Sequence, residues 1–155
     1  MDEQTTQMSL PLDNDGFLRR ECPTCEREFK WFNSEEGDGE PVPDAGYYCP
    51  YCAIQAPPGS WFTPAQIELA RNTVMRDVVR PELEKFGRDL RRSTRGGFLK
   101  LDVTVNTPDA MDPLLETNDM RRVDFACHPE EPVKVLDEWD RDVHCMICST
   151  AAGTP

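Results

Sequence analysis

Two short stretches decide the fold, Cys22-Pro23-Thr24-Cys25 and Cys49-Pro50-Tyr51-Cys52. Each is a CxxC pair, and 23 residues separate one pair from the other. A CxxC pair can turn its backbone so that both thiolates point at one ion. Two pairs then supply four sulfurs at about 2.3 Å, in the tetrahedral arrangement that zinc accepts. The spacing therefore predicts a zinc site with four cysteine ligands.

The residues beside these pairs have the pattern of short β-strands. Phe29 and Trp31 alternate with charged neighbours after the first pair, and Tyr47-Tyr48 leads into the second. Residues 17–53 as a whole resemble a zinc ribbon. The resemblance implies a structural metal but no particular activity, because ribbons serve transcription, translation and assembly alike.

The turn after each pair departs from a common ribbon pattern. Many ribbons place Gly directly after the second cysteine, where φ is positive, whereas this chain has Glu26 and Ala53 there. Both turns must therefore carry strain or adopt another geometry. The departure concerns the shape of the turn and leaves the four ligands unchanged.

Two other interpretations of the paired cysteines are disfavoured. A thioredoxin-like dithiol needs a βαβ setting, which the sequence lacks. Disulfides are typical of secreted proteins, whereas the acidic, polar N-terminus is unlike a signal peptide. The seven cysteines are also an odd number, which argues against a fully disulfide-paired fold.

The other three cysteines predict a second site. Cys145-Met146-Ile147-Cys148 is a third CxxC pair, and Cys127 precedes it with 17 residues between. Three sulfurs need a fourth ligand, and both histidines of the chain lie nearby. His128 is favoured because the proline after it can bend the chain inward, and His144 and Glu130 are the alternatives. If no second metal binds, Cys127 is a buried free thiol.

Between the two sites the pattern predicts a helical segment. Thr63 and Gln66 match a capping box, with a proline at the first helical position. Pro81 predicts a kink, or two consecutive helices over 64–79 and 81–94. The apolar positions at helical spacing are Ile67, Ala70, Val74, Val78, Leu83, Phe86 and Leu90.

These elements predict a small α+β protein stabilised by metal, with two zinc-ribbon β-modules flanking a central helical segment. Gly96-Gly97 ends the helix, residues 98–105 alternate as a strand, and Ser34–Asp44 is an acidic loop. The expected divisions are a flexible leader over 1–16, an N-terminal zinc ribbon over 17–59, the helical segment plus strand over 60–106, a linker over 107–119, a C-terminal zinc-binding module over 120–150 and a flexible tail over 151–155.

Composition and charge restrict the classes of function. The 155 residues include 29 acidic and 17 basic side chains, for a formal charge of −12. General electrostatic binding to nucleic acid is disfavoured, because neutralising phosphates needs a positive surface. No apolar run approaches the roughly 18 residues of a membrane span. The charge is uneven, since residues 63–105 carry nine basic and six acidic groups (+3) and the remainder carries eight and 23 (−15).

The motifs of common catalytic sites are absent from the sequence. It contains no Gly-rich phosphate loop, no HExxH and no G-x-S-x-G elbow. Four thiolates close the first site, and three sulfurs in the second blunt the acidity of zinc. We therefore expect two structural zinc ions per chain and no enzymatic activity.

The expected function is that of a cytoplasmic interaction or adaptor protein. The helical segment carries more apolar face than two small ribbons can cover. It is therefore expected to bind a protein partner or a second copy of the chain. The residues expected at that surface are Trp61, Phe62, Val78 and Phe86.

The alternative function is nucleic-acid binding through a local basic face. A further idea, suggested by the charge of −12 alone, is an acidic protein that mimics DNA. The helix dipole also explains the arginines of the last helical turns, because cations stabilise that end. The candidate faces are Arg19, Arg20, Arg27 and Lys30 with Trp31 or Tyr48 for stacking, or the cluster of Arg88, Arg91, Arg92 and Arg95.

Overall fold

The described part of the chain forms two units in the computed structural model, one helical and one built from β-strands. It covers residues 8–32, 45–98, 104–106 and 111–152. The predicted α+β class is confirmed. The expected acidic loop Ser34–Asp44, most of the expected strand over 98–105 and both extreme ends of the chain lie outside the described residues.

One long helical stretch dominates the helical unit and changes its winding in the middle. The α-helix α1 covers Pro64–Val74, a π-helical turn covers Met75–Val79, and α2 covers Arg80–Ser93. At the end of the π turn the Arg80 N–H donates to the carbonyl five residues before it. Pro81 has no N–H, and in a regular α-helix its ring would clash with the carbonyl four residues back. The wider π turn relieves this clash, so the predicted break takes the form of a π turn that ends two residues before Pro81.

The second unit contains every strand of the described residues. Strands β1, β2, β6 and β5 form an antiparallel sheet in that order, while β3 pairs with β4 and β7 pairs with β8. The first two residues of the tail expected over 151–155 form the last of these strands. The strands are β1 (Phe17–Glu21), β2 (Glu28–Phe32), β3 (Tyr47–Tyr48), β4 (Gln55–Ala56), β5 (Met120–Val123), β6 (Val133–Leu136), β7 (Val143–His144) and β8 (Ala151–Ala152).

The two cysteine-bearing halves are joined through β2 and β6. Lys30 lies opposite Lys134, and Trp31 lies opposite Val133. The sequence predicts separate modules over 17–59 and 120–150, but in the structure these central strands place both in one unit. Pairing between strands so distant in the chain depends on tertiary packing, and nothing in the local pattern specifies it.

The halves are arranged as approximate two-fold copies of each other. Each supplies one hairpin to the sheet and one smaller hairpin that carries a CxxC pair. Their contacts are reciprocal. The Tyr48 N–H donates to the Met146 carbonyl at 2.8 Å, and the His144 N–H donates to the Pro50 carbonyl at 2.9 Å. The two modules therefore pack against one another much as the subunits of a homodimer do.

One face of the sheet packs on the hydrophobic core. Phe29 of β2 and Val133 and Val135 of β6 are completely buried there. Trp61 meets Phe29 edge to face, with ring centroids 5.7 Å apart. The core is continuous with the metal-ligand clusters, because it also contains three of the cysteines. They are Cys22, Cys49 and Cys145.

The opposite face carries a row of four cations, one from each strand. Arg19 pairs with Lys30 across β1 and β2, Lys30 with Lys134 across β2 and β6, and Lys134 with Arg122 across β6 and β5. Like charges directly opposite one another destabilise a sheet. The row therefore needs acidic groups close to it.

Acidic residues from outside the strands neutralise this row. Asp13 lies 3.3 Å from the Lys30 ammonium and 2.8 Å from that of Lys134, and Glu116 lies 3.0 Å from Lys30. Both lysines and Asp13 are buried. The sequence predicts a flexible leader over 1–16 and a linker over 107–119. Their inner ends are instead held against the sheet by these ion pairs.

Candidate metal centres

Four cysteine sulfurs meet between the two hairpins of the first half. Cys22 and Cys25 come from the β1–β2 turn, Cys49 and Cys52 come from the β3–β4 turn, and all four sulfurs lie within 4.8 Å of one another. Two of the distances, Cys22 to Cys52 and Cys25 to Cys49, are 3.8 Å. A tetrahedron with zinc–sulfur bonds of about 2.3 Å has edges of about 3.8 Å, whereas disulfide sulfurs are about 2 Å apart. The first donor set fits zinc.

Backbone N–H groups surround the sulfurs of this cluster. Those of Thr24 and Cys25 donate to Cys22 Sγ at 3.3 and 3.4 Å, and that of Tyr51 donates to Cys49 Sγ at 3.3 Å. Burial raises the pKa of Cys49, whereas at Cys22 burial is outweighed by these N–H bonds and the pKa is lowered. Four clustered thiols cannot all ionise unaided, because thiolates repel one another at low dielectric. A bound divalent cation removes that repulsion.

The residue after each CxxC pair has the left-handed backbone conformation. Its φ is +57° at Glu26, +58° at Ala53 and +61° at Ser149. In all three turns its N–H donates to the carbonyl of the first cysteine of the pair. This conformation costs a residue with a Cβ roughly 1–2 kcal/mol. Of the two outcomes expected from the sequence, the turns therefore carry strain and keep the positive φ.

The second cluster combines three sulfurs with one imidazole. Cys127 and His128 lie between β5 and β6, Cys145 and Cys148 lie between β7 and β8, and their ligand atoms are all within 4.8 Å of one another. Cys148 Sγ is 3.5 Å from Cys127 Sγ, and Cys145 Sγ is 3.4 Å from His128 Nδ1. Zinc–nitrogen bonds are shorter than zinc–sulfur bonds, so the sulfur–nitrogen edge of such a tetrahedron is about 3.5 Å. This donor set also fits one zinc.

Of the three alternatives for the fourth ligand, the structure brings His128 to the sulfurs. Adjacent side chains diverge along a strand, but Cys127 and His128 follow the end of β5, where both can reach one point. His144 lies in β7, where its Nδ1 is 3.1 Å from the Ser149 carbonyl oxygen. Glu130 is exposed. Neither belongs to the cluster.

The two clusters differ in their exposure to solvent. Cys22 and Cys49 of the first cluster are buried, whereas Cys127 and Cys148 of the second are exposed. Hydrogen bonds between the Cys148 sulfur and the side chain and backbone of Thr150 lower the pKa of Cys148 to about 6. Burial raises the pKa of its partner Cys145 to about 12. The second cluster therefore has one side in the core and one side in water.

Tyr51, which the sequence did not single out as a functional residue, connects the first cluster to the central strands. Its hydroxyl donates to the Glu28 carbonyl at 2.7 Å and accepts from the Leu136 N–H at 3.0 Å. Its ring packs edge to face on Trp139, with centroids 4.8 Å apart. Burial raises the pKa of this hydroxyl to about 12, so it stays a donor at neutral pH. One side chain inside a CxxC pair thus links β2, β6 and the second half.

The residues expected at a partner surface have different environments. Trp61 is completely buried in the core beside the first cluster, so it packs the fold and cannot contact a partner there. Phe62 is 40% exposed. In the helical unit Val78 is half-buried in the π turn and Phe86 is 58% exposed in α2. Three of the four positions are therefore accessible to some degree.

The first basic face expected for nucleic-acid binding does not form. Arg19 and Lys30 lie on the cation face of the sheet and are bound by acidic groups. Arg20 points to the opposite side, because neighbours on a strand alternate in direction. The guanidinium of Arg27 lies over the Trp139 ring, 5.1 Å from its centroid. The second candidate face, the arginine cluster over 88–95, is exposed on the helix.

Comparisons with known proteins add no relative to this picture. Searches against protein-family models, curated proteins and solved structures give no match for the chain. In the part of the chain that the structure describes, no helix combines the length and the apolar character needed to cross a membrane.

Proposed function

We propose that each cluster binds one zinc ion and that both ions are structural. The observation that carries the proposal is the grouping of eight ligand atoms into two sets, each within 4.8 Å. The ligands of each set come from two separate hairpins, so a bound ion cross-links the hairpins. A structural zinc contributes on the order of 10 kcal/mol of apparent binding energy. Such a contribution matters in a chain with 14 prolines and 38% hydrophobic residues.

The same ligand count supports a non-catalytic role. Catalytic zinc sites keep one position open for water, whereas four protein ligands complete a tetrahedron. Both sets here supply four ligands. We therefore propose that the protein is not an enzyme and that its metal holds a binding scaffold in shape.

Metal analysis of the purified protein tests this part of the proposal. We expect two zinc ions per chain, with loss of the fold when a strong chelator removes them. One ion per chain would refute the second site and leave the first standing. No zinc, with the thiols oxidised to disulfides, would refute both sites.

We also propose that the scaffold is a cytoplasmic adaptor that binds another protein. Thiolate ligands need reducing surroundings, and all seven cysteines are free. Solvent-exposed apolar side chains along the helical stretch supply the proposed partner surface, since contiguous apolar patches mark interfaces. The surface consists of Ile67, Val74, Leu83 and Phe86, which are each 41–58% exposed.

The π turn brings Val74 of α1 and Phe86 of α2 onto one side of the helical stretch. Phe86 lies 12 residues after Val74, which in an uninterrupted α-helix would separate them by about 120°. A π turn takes up one extra residue and sets the following helix back by about 100°. The two side chains then differ by only about 20°. A partner helix could therefore contact both α1 and α2 along one stripe.

A charge placed in the stripe tests the partner surface. We expect Phe86→Glu to abolish association with a partner or with a second copy, while two zinc ions stay bound. Lys85→Glu is the matched control, since this neighbouring side chain is also exposed and should associate normally. Light scattering separates a dimer from a monomer. If Phe86→Glu instead unfolds an isolated monomer, the stripe is internal core and the proposal fails.

Nucleic-acid binding through α2 is the second candidate function. Arg88 and Arg92 are exposed and lie four residues apart in α2, so they share one side of the helix, and Arg95 is exposed in the turn after it. Nevertheless, with a charge of −12, we expect weak binding to duplex DNA. Titration of labelled duplex and single strands at about 0.15 M salt measures it. A sub-micromolar affinity that collapses with added salt would favour this function over the adaptor.

A further inference from the structure

Arg20 is a half-buried arginine whose Nε has no hydrogen-bond acceptor among the residues that the structure describes. Its Nε is one of two buried side-chain nitrogens without a hydrogen-bond partner in the described ranges, the other being Trp61 Nε1. Its neighbour Arg19, in contrast, lies 2.7 Å from three separate carboxylates. Native structures keep few buried polar groups unsatisfied, and an unpaired buried charge is costly. The missing acceptor at Arg20 therefore needs an explanation.

Two aromatic rings hold the Arg20 guanidinium in place. Its central carbon lies 4.3 Å from the centroid of the Trp31 ring and 4.8 Å from that of Phe62. The Glu21 N–H donates to the Trp61 carbonyl at 3.0 Å, which fixes this segment beside β1 and brings Phe62 to Arg20. Burial lowers the pKa of Arg20 to about 10, which still leaves it charged at neutral pH. The site is therefore a fixed cation between apolar walls.

The other half of the molecule shows that the sheet does not need a cation at this position. Arg20 is paired with Phe29 in β1 and β2, and Val123 is paired with Val133 in β5 and β6. The two pairs correspond under the approximate two-fold relation, because each lies next to a central lysine. Val123 is partly buried and packs against the hydrophobic core. The sheet therefore accepts an apolar residue, in the second half, at the position that corresponds to Arg20 in the first half.

We propose that Arg20, Trp31 and Phe62 form a binding site for a peptide carboxylate that lies next to an apolar side chain. A guanidinium presents parallel N–H groups that match the two oxygens of a carboxylate. The rings offer apolar contact to the group beside that carboxylate. A single cation on a chain of charge −12 suits one negative charge better than a polyanion, which the whole chain repels. The site is independent of the helical stripe, so its failure would leave the adaptor proposal standing.

Nuclear magnetic resonance of the zinc-loaded full chain tests the site, with sodium benzoate as the probe. We expect saturable shifts of the Arg20 Nε–H and Trp31 indole N–H signals, and tighter binding of benzoate than of acetate. Sodium chloride at equal ionic strength is the control. The absence of a saturable shift, or equal shifts with chloride, would overturn the proposal.

Two variants distinguish a ligand site from a packing role. Arg20→Leu should bind benzoate at least about tenfold more weakly, with an unchanged or raised melting temperature and two zinc ions, since an apolar residue is tolerated in the other half. Phe62→Ala, at an exposed position, should weaken benzoate more than acetate and provides the test if Arg20→Leu fails to fold. Benzoate affinity that is unchanged in either folded variant would overturn the proposal.

Three further probes identify the source of the carboxylate. N-acetylphenylalanine presents a chain-terminal carboxylate, and the amide of N-acetyl-aspartyl-phenylalanine presents a side-chain carboxylate. Tighter binding of the first would assign the site to peptide C-termini, and tighter binding of the second to internal acidic residues. Inorganic phosphate is the third probe. Phosphate binding more tightly than all carboxylates would refute the assigned chemistry.

Discussion

Both candidate metal clusters contain a CxxC turn with the same backbone hydrogen bond, yet two ligands of the first are buried and two ligands of the second are exposed to water. The CxxC pairs that begin at Cys49 and Cys145 are each followed by a residue in the left-handed conformation. The N–H of that residue donates to the carbonyl of the first cysteine. The exposed ligands, Cys127 and Cys148, belong to the second cluster alone. The local turn thus determines the ligand geometry, whereas the packing around it determines exposure. A metal ion held in these clusters should therefore have a similar tetrahedral arrangement of ligands but different effects on the fold.

The largest difference between the clusters should follow the loss of one ligand from each. We expect Cys49→Ser to unfold the sheet unit and release both zinc ions, because its cluster lies within the core shared by both halves. The effect is on the order of 10 kcal/mol, which exceeds the stability of a small domain. Cys148→Ser, at an exposed position, should release one zinc and leave the sheet folded. Metal analysis and circular dichroism measure both.

The Tyr48–Met146 and His144–Pro50 hydrogen bonds join the two halves and would provide the route by which loss of the first cluster affects the second. If the modules were separate, as the sequence predicts, a cysteine substitution in one module would release only the zinc ion of that module. If Cys49→Ser keeps the second zinc and a folded C-terminal half, the modules are independent despite these contacts, and the asymmetry proposed for the two clusters is wrong.

Neutralising Asp13 should weaken both halves together without removing any candidate metal ligand. Asp13→Asn removes the carboxylate shared by Lys30 and Lys134, and breaking such a buried ion pair costs about 3–5 kcal/mol. Asp15→Asn is the control, since its side chain is 56% exposed and should cost less than about 1 kcal/mol. Denaturant unfolding of the zinc-loaded protein measures the change. Equal costs would show that the buried network contributes little.

Zinc binding at the second cluster should depend strongly on one histidine and only weakly on the other. We expect His128→Ala to lower the second-site zinc affinity by more than about a hundredfold, as loss of a ligand exceeds the loss of an outer contact. His144→Ala removes only an imidazole near the Ser149 carbonyl and should cost less than about tenfold. Competition with a zinc indicator measures both affinities. The reverse order would reassign the ligand.

The smallest loss of stability should follow removal of the Tyr51 hydroxyl, which links the first cluster to the sheet. Tyr51→Phe leaves the Leu136 N–H and the Glu28 carbonyl without this partner, at a cost of about 1–3 kcal/mol. Because the cysteines on either side of Tyr51 are untouched, both zinc ions should stay bound. Chemical unfolding and metal analysis test the two statements. Loss of zinc in this variant would mean that the hydroxyl also supports the ligands.

The ligand clusters were predictable because their information is local. The CxxC spacing brings Cys22 and Cys25 to one point, and counting sulfurs identified a three-cysteine set that needed one more donor. The choice of His128 was harder, since the turn after β5 that brings it to Cys127 is a property of the folded chain. The α+β class followed from periodicity and the helix-start signals.

The junction between the halves was not predictable for a physical reason. Lys30 and Lys134 have the sequence signature of solvent-facing strand positions, and their burial depends on acidic groups more than ten residues distant in the chain. Similarly, Trp61 stands beside the helix in sequence and suggested a surface, but it packs on Phe29. Pro81 gave the site of the helix irregularity, although periodicity cannot distinguish a kink from a π turn.

The left-handed residues Glu26, Ala53 and Ser149 have a consequence for how the protein regains lost metal. Without an ion, nothing in the sulfur set compels these turns to keep a conformation that each residue disfavours by roughly 1–2 kcal/mol. The metal-free chain should therefore populate other turn shapes, and rebinding must select the strained one. Glycine at the three positions would reach it without that cost. The natural residues should thus make each proposed metal centre slower to refill than a glycine-bearing one of the same ligand set.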